Sequence, residues 1–171
     1  LLVDIIVQNQ PLEKPLIYFF LSPGRLIYVQ TLSYPLREIW RLLYMEKYKV
    51  GIIGGTGMVG QRFITLMEGH PWFQLTVIAA SPRSAGKTYE QAVSGRWAME
   101  KPIPEEAKGL VVMDAQADVE KIAGLVDFVF CAVDMKKDEI RALEERYAKA
   151  ECPVVSNNSA HRWTPDVLSL I

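Results

Sequence analysis

Lys49-Val50-Gly51-Ile52-Ile53, followed without a break by Gly54-Gly55-Thr56-Gly57-Met58-Val59-Gly60, is the stretch on which the fold reading rests. The first five residues form a short run rich in β-branched side chains, as a buried strand requires. The glycines behind it satisfy two overlapping spacings, G-x-x-G-x-x-G from Gly54 and G-x-G-x-x-G from Gly55. Such glycines have backbone reasons. One permits a sharp strand-to-helix turn, one lets a diphosphate approach the main chain, and one allows close helix–strand contact. The free N–H groups at the start of the following helix, with its dipole behind them, then face the anion. A helical pattern through Phe63, Leu66 and Met67 stops at Gly69-His70-Pro71, a C-terminal glycine with a proline beyond. A glycine repeat alone is a weak signal; between a strand and a helix it is a strong one.

Outward from this unit, strands and helices alternate. Gln74–Ala80, Leu110–Met113, Asp127–Val133 and Pro153–Ser156 read as four further strands. Their continuous apolar runs indicate a parallel sheet covered on both faces. The predicted fold is therefore α/β, a doubly wound, Rossmann-type, mostly parallel sheet flanked by helices. Asp134 is positioned to cap a helix that places Ile140, Leu143 and Tyr147 on one face and pairs Glu145 with Lys149 at i, i+4. Residues 86–109 are polar, proline-bearing and poorly periodic, and read as a long connection. No internal repeat is visible.

Half of the 171 residues are apolar, enough for one domain with a sizeable core. Nineteen basic residues balance 20 acidic ones, for a formal net charge of −1, which provides no electrostatic footprint for nucleic acid or an anionic membrane. The longest apolar runs, such as Leu16–Leu21, are far short of the roughly 20 residues of a membrane-spanning helix. Two cysteines make no disulfide framework, and with His70 and His161 they form no metal-like spacing. No metal site is expected. The texture changes at Met45. Residues 1–44 contain no alanine and four of the ten prolines, whereas residues 45–171 contain 14 alanines. Residues 1–44 are therefore expected to be an upstream extension outside the domain, and residues 45–171 the domain itself.

The end of the second strand selects the nucleotide. An NAD site usually carries an Asp or Glu there for the ribose hydroxyls. Here Ser81-Pro82-Arg83-Ser84 and then Lys87 follow, with no carboxylate before Glu90. A 2′-phosphate would meet hydroxyl donors and a guanidinium. NADP is the expected cofactor.

The runs KVGIIGGTGMVGQRF, SPRSAGK and VSNNSAHR, in this order, resemble the aspartate-semialdehyde dehydrogenases of the archaeal and fungal-like branch, over about residues 45–167. The resemblance implies an N-terminal NADP-binding domain followed by a domain that supplies catalysis and oligomer contacts. It implies the interconversion of aspartyl 4-phosphate with aspartate 4-semialdehyde and phosphate, toward lysine, threonine and methionine. Carried over, Thr56, Gly57, Met58 and Val59, with Gly54 and Gly60, would line the diphosphate. Ser81, Arg83 and Ser84 would hold the adenosine phosphate, and Asn157, Asn158 and Ser159 would lie toward the nicotinamide. It also implies a cytoplasmic homo-oligomeric enzyme acting on a small molecule, away from nucleic acid and membrane.

The family uses a cysteine nucleophile and a histidine base from the second domain. Cys152 precedes the fifth strand, at its amino end, and Cys131 lies late in the fourth strand, where a small buried thiol is the ordinary reading. His161 reads as structural, His70 as a helix-terminus residue favoured by the dipole, and Trp72, Trp97 and Trp163 as packing residues. No catalytic residue is expected within these residues, and the domain is expected to be incomplete at its C-terminus, because the familial continuation past Val167 is replaced by Leu168-Ser169-Leu170-Ile171. Related acyl-phosphate or acyl-CoA reductases, of the malonyl-CoA or acylglutamyl-phosphate type, and a non-catalytic NADP-binding module remain alternatives. A short-chain reductase or epimerase is disfavoured, since no tyrosine has a lysine four residues on.

Overall fold

The computed structural model describes residues 19–20, 26–27, 47–165 and 167. The rest of the 1–44 stretch and the 168–171 end lie outside the described residues. The chain divides into two compact units, Leu1–Met45 and Glu46–Ile171. In the first, β1 (Phe19–Phe20) and β2 (Leu26–Ile27) form an antiparallel pair, with Phe19 opposite Ile27.

Among the described residues the second unit holds five strands: β3 (Tyr48–Ile53), β4 (Phe73–Ala80), β5 (Met113–Asp114), β6 (Phe128–Cys131) and β7 (Val154–Ser156). All neighbours are parallel, and the order across the sheet is β5-β4-β3-β6-β7. The chain thus starts in the middle, moves outward through β4 and β5, then crosses back to β6 on the other side of β3. This is the doubly wound order, and its switch point lies between β3 and β6. Helices α1 (Met58–Met67), α2 (Tyr89–Val93) and α3 (Glu105–Lys108) belong to the first half; α4 (Val119–Ala123) and α5 (Lys137–Lys149) follow β5 and β6.

Strand alternation sends successive side chains to opposite faces, and each face has its own core. Ile52 and Ile78 pack with Ile64 and Met67 of α1 and Tyr89 and Val93 of α2. Ile53, Val77, Ala79 and Val129 pack with Val119 and Ile122 of α4 and with Leu143 and Tyr147 of α5. The central strands are therefore apolar on both faces, as a sheet covered on both sides demands. Ile140, Leu143 and Tyr147 are all buried, as the helical spacing predicts. Tyr147 also donates its hydroxyl to the Ala115 carbonyl at 3.0 Å within the core. Tyr147→Phe leaves that carbonyl without its partner, and urea unfolding is expected to register a loss of about 1–3 kcal/mol.

Several local expectations are corrected. The third strand begins at Met113 and not at Leu110. Residues 110–112 are captured by residues 86–89 instead: Tyr89 N–H donates to Leu110, Gly86 N–H to Val112, and Val112 N–H to Lys87. The 86–109 connection holds two short helices, the first begun by a capping box in which Thr88 and Gln91 each bond the other's backbone. The fourth strand ends at Cys131, where its pairing with β7 ends at Ser156. Asp134 caps nothing; α5 starts after Lys136 without a side-chain cap, and Asp138 and Glu139 complement its dipole. Glu145 and Lys149 are exposed and form no ion pair among the described residues. Leu66 is exposed, because α1 turns Gly60, Gln61, Ile64 and Met67 inward. Trp72 and Trp163 are also exposed, whereas Trp97 packs edge-on against Tyr89. His70 sits at the end of α1, its N–H on the Met67 carbonyl. Its Nδ1 accepts the Trp72 and Phe73 N–H groups, and its ring stacks on Phe73.

Candidate functional site

The carboxyl end of β3 runs directly into the glycine turn. Gly54 has φ +89°, a conformation that side chains disfavour. A Cβ there would lie 2.5 Å from the Ala132 carbonyl oxygen, at the end of the neighbouring β6. Gly54 and Gly55 both donate their N–H to the Ala79 carbonyl, at 2.8 and 3.1 Å, tying the turn to β4 as well. A Cβ at Gly55 would meet Ile78 at 2.4 Å, and one at Gly60 would meet the Gly54 carbonyl oxygen at 2.3 Å. These three glycines are required by packing within the protein. Gly57 is different. It is exposed, has ordinary extended angles as the residue before α1, and a Cβ on it would approach nothing closer than 3.4 Å.

That space opens on the start of α1. Gly57 N–H donates to Gly54 and Gln61 N–H to Gly57. Among the described residues, the N–H groups of Thr56, Met58, Val59 and Gly60 have no protein acceptor. Four donors around one open glycine, at a helix N-terminus beside the switch point, are the arrangement that a diphosphate site requires. Thr56 is half-buried, and Met58 and Val59 are exposed.

Two side chains hold this turn that spacing arguments do not identify. Gln61, 1% exposed, donates through Nε2 to the Thr56 and Arg96 carbonyls and accepts the Ala98 N–H on Oε1. Tyr89, fully buried, donates its hydroxyl to the Gly55 carbonyl at 2.8 Å. In sequence Gln61 reads as an ordinary polar residue on the helix after the glycines. Nothing local marks Tyr89, which comes from 34 residues further on.

The turn after β4 lies one strand spacing to one side, about 4.8 Å away. Ser81 and Arg83 are exposed on it, and Lys87 is exposed nearby. Ser84 is buried, and its N–H closes the turn onto the Ser81 carbonyl at 2.9 Å. On the other side, beyond β6, Asn157 follows β7, donates its N–H to the Cys131 carbonyl and exposes its side chain. Ser159 is exposed too. Asn158 turns inward: its Nδ2 lies 3.7 Å from Cys131 Sγ and 3.4 Å from Glu144 Oε1.

Cys131 and Cys152 are free and buried. Burial, reinforced by the Glu144 carboxylate, pushes the Cys131 thiol up to about 12. Burial raises that of Cys152 as well. Both are protonated at neutral pH, whereas a nucleophile needs the thiolate. His161 bonds Thr164 through Nδ1 and lies against the Arg141 carbonyl, a structural placement. Among the described residues no cluster of His, Cys, Asp and Glu could hold a metal ion, and no helix is long and apolar enough to cross a membrane.

An all-parallel sheet of this order, with a glycine cradle at its switch point, defines the class of nicotinamide-dinucleotide-binding domains. Comparison with known sequences narrows it. The chain belongs to the family described as semialdehyde dehydrogenase, NAD binding domain, which matches residues 49–171. The aspartate-semialdehyde dehydrogenase of Archaeoglobus fulgidus is 40% identical over 121 residues, covering 71% of this chain and 33% of that protein. That of Saccharomyces cerevisiae is 39% identical over 117 residues, 68% of this chain and 30% of the other. The structure of the Candida albicans aspartate semialdehyde dehydrogenase with NADP superimposes with a TM-score of 0.63 at 35% identity, over 71% of this chain and 32% of that one. The chain spans about a third of the length of these relatives.

Proposed function

We propose that this chain is the NADP-binding portion of an aspartate-semialdehyde dehydrogenase, which reduces aspartyl 4-phosphate to aspartate 4-semialdehyde with release of phosphate. The observation that carries the reading is the glycine cradle: three glycines closed by protein contacts, and a fourth, Gly57, left open beside unused N–H donors. A diphosphate fits there by charge and by space. The cofactor, when bound, supplies the hydride. The chain's own residues bind and orient it. Thr56 to Gly60 take the diphosphate, Ser81 and Arg83 take the 2′-phosphate, and Asn157 and Ser159 face the nicotinamide half. Ser84 shapes the second turn through its backbone, and Asn158 anchors the third. The reacting thiol and base are proposed to lie outside these residues, since the two thiols here are buried and protonated. Buried free thiols also suit a reducing compartment such as the cytoplasm.

Selection of NADP rests on Arg83, an exposed guanidinium on a turn without a carboxylate. Titration of the chain with NADPH and NADH, followed by nicotinamide fluorescence, is expected to show tighter binding of NADPH. Arg83→Ala removes a charge-assisted bond of about 1.5–3 kcal/mol, weakening NADPH roughly 10- to 100-fold while leaving NADH nearly unchanged. Equal affinity of the unaltered chain for both nucleotides would exclude the NADP assignment.

A further inference from the structure

Glu144 is a carboxylate on α5 that is only 5% exposed, and burying a carboxylate is costly unless its oxygens are bonded. Leu143 and Tyr147 already fasten α5 to the sheet, so packing alone gives no reason for it. Cys131, at the end of β6, stands beside it, and its other partners lie at the end of β7 and on the segment that follows. Ser156 donates its hydroxyl to Glu144 Oε1 at 2.5 Å, and Asn158 Nδ2 lies 3.4 Å from the same atom. Ser156 Oγ in turn accepts the Asn158 N–H at 3.0 Å. His161 Nε2 stands 4.0 Å from Oε2. One turn earlier on α5, Arg141 donates to the Ala160 carbonyl at 2.9 Å. The backbone between these anchors carries the exposed Asn157 and Ser159. Such a chain of bonds fixes a turn whose own residues make no regular structure.

We propose that Glu144 positions the Asn157–Ser159 turn for the nicotinamide half of the cofactor, acting through Ser156 and Asn158 and without touching the ligand. This rests on the cofactor reading above. The turn stands two strands from the glycine cradle, about 10 Å across β3, β6 and β7, so its placement concerns one end of the dinucleotide. The cradle and the Arg83 turn hang on β3 and β4, away from the partners of Glu144.

The test uses two probes, NADPH and the 2′-phosphorylated adenosine diphosphate ribose that lacks the nicotinamide ring, titrated by calorimetry against the chain and two variants. Glu144→Ala is expected to weaken NADPH about 10-fold and the ring-less probe less than about 2-fold, the loss of one charge-assisted acceptor. Glu144→Gln keeps an oxygen acceptor for Ser156 and is expected to recover most of the NADPH affinity. A merely structural carboxylate would weaken both probes together or neither, and either result overturns the proposal. An unaltered chain that binds neither probe overturns the cofactor reading itself; one that binds both, with the variants indistinguishable from it, removes only the role of Glu144.

Discussion

Gly57→Ala is expected to leave the fold intact and to abolish saturable binding of NADPH at concentrations where the unaltered chain is filled. The backbone of Gly57 has φ −78° and ψ 164°, which alanine adopts without strain, and the added methyl would sit 3.4 Å from the nearest protein atom. Its unfolding midpoint should therefore stay close to that of the unaltered chain. In the proposed cradle the methyl would occupy the space a diphosphate needs to reach the N–H groups around it. The matched control is Gly54→Ala. There the methyl would press 2.5 Å from the Ala132 carbonyl oxygen, from a residue at φ +89°. Left-handed geometry alone costs roughly 1–2 kcal/mol, and overlap with a neighbouring strand's backbone raises the loss to about 3–5 kcal/mol. Gly54→Ala is thus expected to lower the unfolding midpoint steeply, or to yield no folded chain. One variant separates binding from folding and the other does not. Circular dichroism on heating, followed by NADPH titration of whatever remains folded, distinguishes them. Retained NADPH affinity in folded Gly57→Ala would sink the cradle.

That contrast also shows what spacing can convey and what it cannot. Two overlapping glycine patterns are visible, and nothing in the sequence tells which glycine does which task. The assignment depends on neighbours from elsewhere: Ala132 for Gly54, Ile78 for Gly55, and the turn's own carbonyl for Gly60. Five strands and a doubly wound sheet are legible because buried parallel strands leave continuous apolar runs, as in Val50 to Ile53 and Val77 to Ala80. The 86–112 region misleads for the opposite reason. Residues 110–112 are β-rich by composition, but their backbone groups are taken by residues 86–89 before they can join the sheet. Its first helix is readable after all, in the Thr88 to Gln91 capping spacing. Gln61 and Glu144 resemble ordinary surface polar residues in sequence. Only the partners that close around them, at Arg96 and Ala98 for one and Ser156 and Asn158 for the other, make them internal. Long-range hydrogen bonding leaves no periodic trace.

Alkaline pH is expected to destabilise the chain far more than its surface charge suggests. Cys131 is held protonated by burial and then by the nearby Glu144 carboxylate, from an ordinary 9.0 up to about 12. Burial raises Cys152 too, and it drives the hydroxyls of Tyr89 and Tyr147 well above the ordinary tyrosine range. All four groups titrate higher in the folded chain than in the unfolded one. Their contribution is fully present below the unfolded pKa and is lost as pH rises, because the unfolded chain releases protons that the folded chain retains. For Cys131 the window opens near pH 9 and closes near pH 12, and the tyrosines add to it above about pH 10. Within its window Cys131 lowers stability by roughly 1.4 kcal/mol per pH unit. The urea midpoint should hardly move between pH 7 and 8 and then fall progressively more steeply above pH 9. Cys131→Ala removes one group from the sum. It is expected to be less stable than the unaltered chain at pH 7.5, having lost a buried side chain, yet to lose stability more gradually between pH 9 and 11. Parallel curves for the two proteins across that range would mean that Cys131 ionises alike in folded and unfolded chains, contrary to its burial beside Glu144. Alkylation tests the same burial by rate, since a thiol held near 12 in a closed core reacts with iodoacetamide only as fast as the domain opens.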